Sequence, residues 1–414
     1  MLKFELQKIL GRPSGKAALV VLAAAILLTT FFACNVRYVD QAGQTHTGPA
    51  AARQLRQQQK TWAGVLDEAM LCQVLLTNQE VQASPEAQSE DVTQQNMAYH
   101  QMQAYEVLRD LINQAYASDF QTYDYFTIDT VTPDQAPAFY PNRVRLLQDW
   151  LAENPDRFSP AQADYLAAQY QALEAPFSVD YVTGWQQFYD YAPTVSMLTC
   201  LIACFLVAGI FSQEGTLRAE AVFFATRHGR GRGTGAKIGA GLLLLTLLYW
   251  WAFLVFAGLT LGLLGADGGS CPVQVIHWKS FYPLTLAQGG VLIALGGWLG
   301  TVVLGLVTMA VSAKTGSVAL AAILPFALLF LPALLLNSEH ALVSQILGLL
   351  PDQLLQLNRV FTYFNLYQAG DAVAGACPLL FALYVPLALV LIPLLYQIYR
   401  RKSLRCYEVT FVKR

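Results

Sequence analysis

The sequence predicts an all-α polytopic membrane protein with six transmembrane helices and a mainly helical extracytoplasmic domain inserted between the first two. Three observations carry this expectation. The chain of 414 residues is 55% hydrophobic but only 13% charged, against about 25% charged in an average soluble domain. Six stretches long enough to cross a bilayer contain no Asp, Glu, Lys or Arg. One long segment, 37–191, has instead the polarity and helical periodicity of a soluble domain of ordinary size.

The six stretches are 17–36, 192–212, 238–265, 284–313, 317–337 and 372–399. The third and fourth are long enough to tilt, and Pro378, Pro386 and Pro393 predict kinks in the sixth. The first is too long for a cleaved signal peptide, and no good aliphatic residue precedes Cys34, so an uncleaved anchor is expected. With both termini inside, the inner segments hold 16 Lys and Arg against 4 acids, and 37–191 holds 8 basic against 20 acidic residues. The positive-inside rule then places 1–16, 213–237 and the tail 400–414 in the cytoplasm and 37–191 outside. An acidic outer domain argues against nucleic acid as a partner.

Ahead of the first span, Met1–Leu10 is amphipathic, with Leu2, Leu6 and Ile9 on one face and Lys3, Gln7 and Lys8 on the other. It reads as a helix on the inner membrane surface, or as a simple basic flank that sets orientation. In 37–191, Trp62, Val65, Leu66, Ala69, Cys72 and Leu76 keep a helical face, as do Ala98, Met102, Tyr105, Leu108 and Ile112. Val144, Leu147 and Leu151 mark a helix ended at Pro155, and Ser159-Pro160-Ala161-Gln162 is a capping box opening another. Phe120–Val131 is the one place a strand or hairpin is expected. The Gln-rich stretches 44–59 and 79–95 read as polar with mobile edges. Phe177, Tyr181, Trp185, Phe188, Tyr189 and Tyr191 read as an interfacial aromatic belt, with a ligand-stacking site as the alternative.

The stretch 213–237 is the most informative. It carries Arg218, Arg227, Arg230, Arg232 and Lys237 against Glu214 and Glu220. Leu217, Ala221 and Phe224 recur at helical spacing, which predicts an amphipathic helix and then a Gly- and Arg-rich joint. An ordinary basic topogenic loop accounts for the same charges. Beyond the fifth span, 338–371 reads as two short apolar helices broken at Pro351, dipping into the outer leaflet or lying on its surface.

Several chemistries are missing. The predicted spans carry no ionisable residue of the kind that ion-coupled carriers place in the bilayer. The chain has no HExxH, no GxSxG and no phosphate-binding Gly-x4-Gly-Lys-Ser/Thr loop. Its seven cysteines show no metal-ligand spacing, and Cys271 and His277 have no further ligand nearby. Cys200 and Cys204 read as core residues, whereas Cys34, Cys72, Cys271 and Cys377 lie outward with no pair selected. No catalytic residue, metal or cofactor is expected, so energy for any uphill transport must come from another polypeptide.

On these residues the chain resembles the membrane subunit of a type-2 ATP-binding-cassette (ABC) exporter, in a bacterial branch with a large extracytoplasmic domain. The family's central segment matches here as Glu214, Gly215-Thr216, an apolar stretch to Ala225, Arg227 or Arg230, and Lys237 at the start of the third span. RHGRGRG stands where many relatives carry a Pro and a single Arg. The resemblance implies a dimer of permease subunits, identical or homologous. It also implies a separate ABC ATPase docked on the central loop, with Glu214, Gly215, Thr216, Arg227, Arg230 and Lys237 coupling it to the spans. A membrane-anchored sensor or assembly protein, whose outer domain binds a ligand or protein partner, is the rival from a different class.

Overall fold

The structure is a computed structural model that describes residues 1–217, 219–335 and 345–402, without the side chains of residues 216 and 333–335. Among the described residues, five helical stretches are long and apolar enough to cross a membrane: Pro13–Ala33, Thr183–Gly215, Gly229–Leu264, Leu286–Thr315 and Ala376–Arg400. The remaining predicted span, 317–337, contributes an apolar helix whose described part is shorter than these, and its predicted end lies outside the described residues.

The elements run in chain order. Helix α1 (Leu2–Leu10) meets α2 (Pro13–Ala33) at an elbow formed by Gly11, Arg12 and Pro13. The inserted segment comprises β1 (Arg37–Val39), β2 (Thr45–Thr47), α3 (Pro49–Gln59), β3 (Gly64–Val65), α4 (Glu68–Gln82), α5 (Val92–Met102), α6 (Glu106–Ala115), α7 (Phe139–Glu153), α8 (Pro160–Ala172) and β4 (Ser178–Val179). Next come α9 (Thr183–Ala208), the short α10 (Gln213–Thr216) and α11 (Glu220–Ala225), α12 (Thr234–Leu264), α13 (Leu286–Thr315) and α14 (Val318–Leu335). Two short helices, α15 (Pro351–Leu355) and α16 (Leu357–Thr362), precede the hairpin β5 (Leu366–Ala369) and β6 (Ala372–Gly375), and α17 (Ala376–Arg400) closes the described chain.

Helix α9 lies at the centre of the bundle, against α2, α12, α13 and α14. Lipid gives apolar side chains little reason to leave it, so the helices gain most from close approach and from hydrogen bonds between them. Gly297 of α13 permits one such approach. A Cβ there would stand 2.1 Å from the Tyr249 hydroxyl, which shares a 3.1 Å hydrogen bond with Ser196 of α9. Farther along, the Ser312 hydroxyl of α13 donates to the Ala208 carbonyl at the end of α9.

Several expectations need correction. The last span starts at Ala376, because 372–375 pair with 366–369 around Gly370, whose positive φ suits a two-residue hairpin turn. Pro351 opens a helix at its first position after a break at 348–350, and 338–344 of the segment expected before it lie outside the described residues. Pro378 therefore falls in the first turn of α17, and only Pro386 and Pro393 lie inside it. The aromatic belt is instead internal packing, since α9 begins at Thr183 and buries Trp185, Phe188 and Tyr189. Phe188 stacks on Phe256, Trp185 Nε1 donates to the Ala266 carbonyl, and Tyr189 donates to the Leu286 carbonyl.

In the inserted segment no strand forms over Phe120–Val131. Asp119 accepts the backbone N–H groups of Gln121 and Thr122, and Asp124 that of Phe126, so local turns take the groups a strand would pair. A 3-10 turn over Thr127–Thr130 follows. The helical face drawn from Trp62 to Leu76 fails because Asp67 caps the helix at Met70 N, leaving Trp62 and Val65 outside it. Leu71, Val74, Leu75, Asn78 and Val81 form its buried side, and Leu76 is 50% exposed. The face from Ala98 to Ile112 survives across a 3-10 turn between α5 and α6. The Gln-rich stretch 44–59 is mostly ordered as α3, and its Gln59 is buried and donates to the Gln103 carbonyl. Ser159 caps α8 through the expected box.

The inserted segment is fastened to the links between spans. Arg143 of α7 is buried, with its guanidinium 4.1 Å from the Tyr170 ring centre, donating to the carbonyls of Trp278 and Ser280. Burial pushes this arginine below its usual pKa, and no carboxylate pairs with it among the described residues. Arg56 and Lys60 converge on Asp267, and Gln162 reaches the Leu366 carbonyl of the hairpin. Replacing Arg143 with Ala removes the charge-assisted bonds and the aromatic contact together. It is expected to destabilise the protein by roughly 2–4 kcal/mol, read as a lower thermal midpoint in detergent.

Candidate functional site

The loop joining the second and third spans is where the sequence concentrates its site residues. Glycines at 215, 229, 231 and 233 interrupt it, and the structure is correspondingly broken. Helix α10 ends after Thr216, α11 starts at Glu220, and a wide π turn over Gly229–Gly233 feeds α12. A Cβ at Gly229 would stand 1.8 Å from the Phe223 carbonyl oxygen, so the turn needs glycine there. The single amphipathic helix expected from Leu217, Ala221 and Phe224 is therefore absent. Leu217 is 63% exposed while Phe224 is 7% exposed.

Beneath the loop lies a cluster of four ionisable groups. Lys237, in the first turn of α12, has a fully buried side chain. Its Nζ donates to Glu214 Oε1 at 2.6 Å, to the Ile210 carbonyl at 3.0 Å and to Glu5 Oε2 at 3.2 Å. Glu214 is 5% exposed and accepts a second donor, Lys8 Nζ, at 2.7 Å. Lys8 and Glu5 both come from α1, one turn apart. Two cations and two anions thus join α1, the end of the α9 segment and the start of α12. The Lys237 ammonium donates three hydrogen bonds, which is its full capacity.

A second set of contacts ties the loop to the end of α17. Arg230 donates to the carbonyls of Arg400 at 2.7 Å and Lys402 at 3.3 Å, satisfying carbonyls that a helix end leaves free. Its guanidinium lies 4.5 Å from the Phe224 ring centre, and Phe224 packs on Tyr399. Lys402 pairs with Glu220 at 2.8 Å.

The six sequence-predicted residues therefore part company. Glu214 and Lys237 meet in the buried cluster. Gly215 backs onto Glu220, whose Oε1 would lie 2.8 Å from an added Cβ. Arg230 leaves the cluster for α17, and Arg227 is exposed at the loop's outer turn. The side chain of Thr216 lies outside the described residues. Sequence reasoning missed Glu5, Lys8, Glu220 and Lys402. The (i, i+3) spacing of Glu5 and Lys8 was a signal for the first two, and nothing local marked the others.

A half-buried imidazole sits in the α12–α13 link. His277 Nδ1 lies 3.2 Å from the Thr362 hydroxyl, and its Nε2 is buried with no partner among the described residues. Burial pushes its pKa down to about 4. In the first turn of α15, burial raises the Asp352 carboxyl to about 6. Among the described residues no group of three His, Cys, Asp or Glu side chains could hold a metal, and the six described cysteines are unpaired. A comparison of the chain with known protein families, characterised proteins and solved structures finds no match.

Two outcomes are expected. Glu214→Ala removes the nearest anion from a buried ammonium and should cost about 3 kcal/mol. Adding Lys237→Ala should recover part of that loss, measured as a double-mutant cycle of unfolding midpoints. For His277, the folded state resists protonation, so the unfolded chain binds more protons between its ordinary pKa and about 4. Its stabilisation is complete above pH ~6.5 and is lost as pH falls towards 4, by at most about 3 kcal/mol. His277→Gln should therefore gain stability relative to wild type as the pH is lowered from 7 to 4.5, whatever Asp352 contributes to both proteins.

Proposed function

We propose that this chain is the membrane-spanning, non-catalytic permease subunit of an ATP-driven ABC transporter. It exports an apolar or amphiphilic substrate such as a lipid, peptide or drug-like molecule. A separate ATPase hydrolyses ATP and docks on the loop between α9 and α12. Two permease subunits, identical or homologous, pair in the cell membrane of a bacterium. Both termini and this loop lie in the cytoplasm, and the inserted helical domain lies outside, a reading supported by the charge asymmetry.

The observation that supports this most is the Glu5–Lys8–Glu214–Lys237 cluster. It makes α1, the loop and two spans one mechanical unit. Arg230 and Lys402 add the end of α17. A partner pressing on the loop would then move helices as rigid bodies. Burial also divides the work among the residues. Glu214 and Lys237 hold the lever from within, while Leu217, Val222 and Arg227 are exposed and offer the ATPase an apolar surface with a cation beside it.

The test is recovery of an ABC ATPase with the full-length protein, solubilised from its native membrane. Wild type is expected to bring it down. Val222→Asp with Arg227→Glu is expected to lower recovery by about tenfold, the equivalent of ~1.4 kcal/mol, with the unfolding midpoint unchanged. Recovery of no ATPase from preparations that keep the permease dimer intact would overturn the transporter reading in favour of the anchored sensor.

A further inference from the structure

We infer that the pocket at the elbow between α1 and α2 binds the phosphate-bearing headgroup of an anionic membrane lipid. This goes beyond the transport reading and stands independently of it. The pocket has a volume of about 350 Å³ and is bounded by the elbow, the end of α9, the loop and the start of α14. Its lining includes residues with hydrogen-bond donors, Arg12, Ser14 and Gln213. It also includes the apolar side chains of Phe205, Leu217 and Val318.

Arg12 carries the argument. Its Nη2 is buried and has no hydrogen-bond partner among the described residues. Its Nη1 lies 3.5 Å from where a Cβ of Gly209 would stand, so the guanidinium lies against the end of α9. A buried guanidinium nitrogen without an acceptor is costly, and native structures seldom leave one so. The described carboxylates at this end of the bundle pair with other cations, Glu5 with Lys237, Glu214 through Oε1 with Lys237 and Lys8, and Glu220 with Lys402. Arg12 has no ion-pair partner among the described residues. The acceptor is not among the described residues, and a phosphate suits the planar fork of a guanidinium.

Position selects the source of that phosphate. Arg12 immediately precedes Pro13, the first residue of a helix long and apolar enough to span the membrane. The ends of such helices lie at headgroup depth. The lining combines donors with apolar side chains, which matches a headgroup joined to acyl chains better than a free ion. The pocket also touches Gln213 and Leu217 of the loop that carries Glu214. A bound lipid therefore bridges the elbow to that loop, and the lipid composition of the membrane can act on the ion cluster.

The test is native mass spectrometry of the full-length protein in neutral detergent, titrated separately with phosphatidylglycerol, phosphatidylcholine and inorganic phosphate. Wild type is expected to bind phosphatidylglycerol in preference to phosphatidylcholine. Arg12→Gln should weaken phosphatidylglycerol binding roughly ten- to hundredfold, the loss of one charge-assisted contact. Lys16→Gln alters an exposed cation outside the pocket and should bind as wild type does. Equal binding of the two lipids, or unchanged binding by a folded Arg12→Gln protein, would overturn the assignment. Arg12-dependent displacement of the lipid by millimolar phosphate would overturn it too, and give the site to the free ion. Should Arg12→Gln fail to fold, Gly209→Val narrows the pocket beside Nη1 and should lower phosphatidylglycerol binding alone; unchanged binding there would sink the proposal.

Discussion

A lysine ammonium with no exposure to solvent cannot remain charged in the interior unless every one of its protons is met. Lys237 is held in that state, and the arrangement of this end of the molecule follows from it. The Ile210 carbonyl must come free at the end of the α9 segment, which the turn after Gly209 allows. Glu214 must sit on the next short turn to face α12. Helix α1 must lie alongside so that Glu5 completes the ammonium's partners and Lys8 balances the second carboxylate. Such a pair adds little net stability over an apolar substitute of the same shape. What it specifies is which helices are neighbours, because separating any of them strands a charge.

The same logic recurs at the other end with different chemistry. Arg143 is buried without a carboxylate, and carbonyl oxygens and aromatic faces accept it instead. It fixes the inserted helical segment to the α12–α13 link, while Asp267, held by Arg56 and Lys60, fixes the start of that link. Force applied to the loop at one end has a continuous path through α9, α12 and α13 to the inserted segment at the other. This continuity is what the proposed export mechanism requires of the fold.

The apolar spans were legible in the sequence because their signal is composition over a long window, which no local detail can hide. Capping was legible where it was stereochemically complete, as at Ser159–Gln162. The errors lie where short-range chemistry overrides periodicity. Asp67 and Asp119 capture backbone N–H groups and move or abolish the elements drawn through them. The turn at Gly370-Asp371 carried a hairpin signal that the long apolar run after it obscured. In the loop, the glycines outweighed the spacing of Leu217, Ala221 and Phe224. Glu214 and Lys237 are two of the six loop residues that the resemblance marks, but their partners on α1 are distant in sequence and invisible to any local pattern. So is the unpartnered guanidinium of Arg12.

The central claim is that the ion cluster holds α1 and the loop as one unit. Amide hydrogen exchange of the purified full-length protein, wild type against Glu214→Gln, tests it most directly, because exchange reads local opening segment by segment. The account predicts strong protection of residues 2–10 in wild type. In the variant, exchange should be faster across 2–10 and 213–233 and unchanged across the inserted segment. Equal protection of α1 in the two proteins would contradict it, and would mean that α1 is held by its apolar face alone.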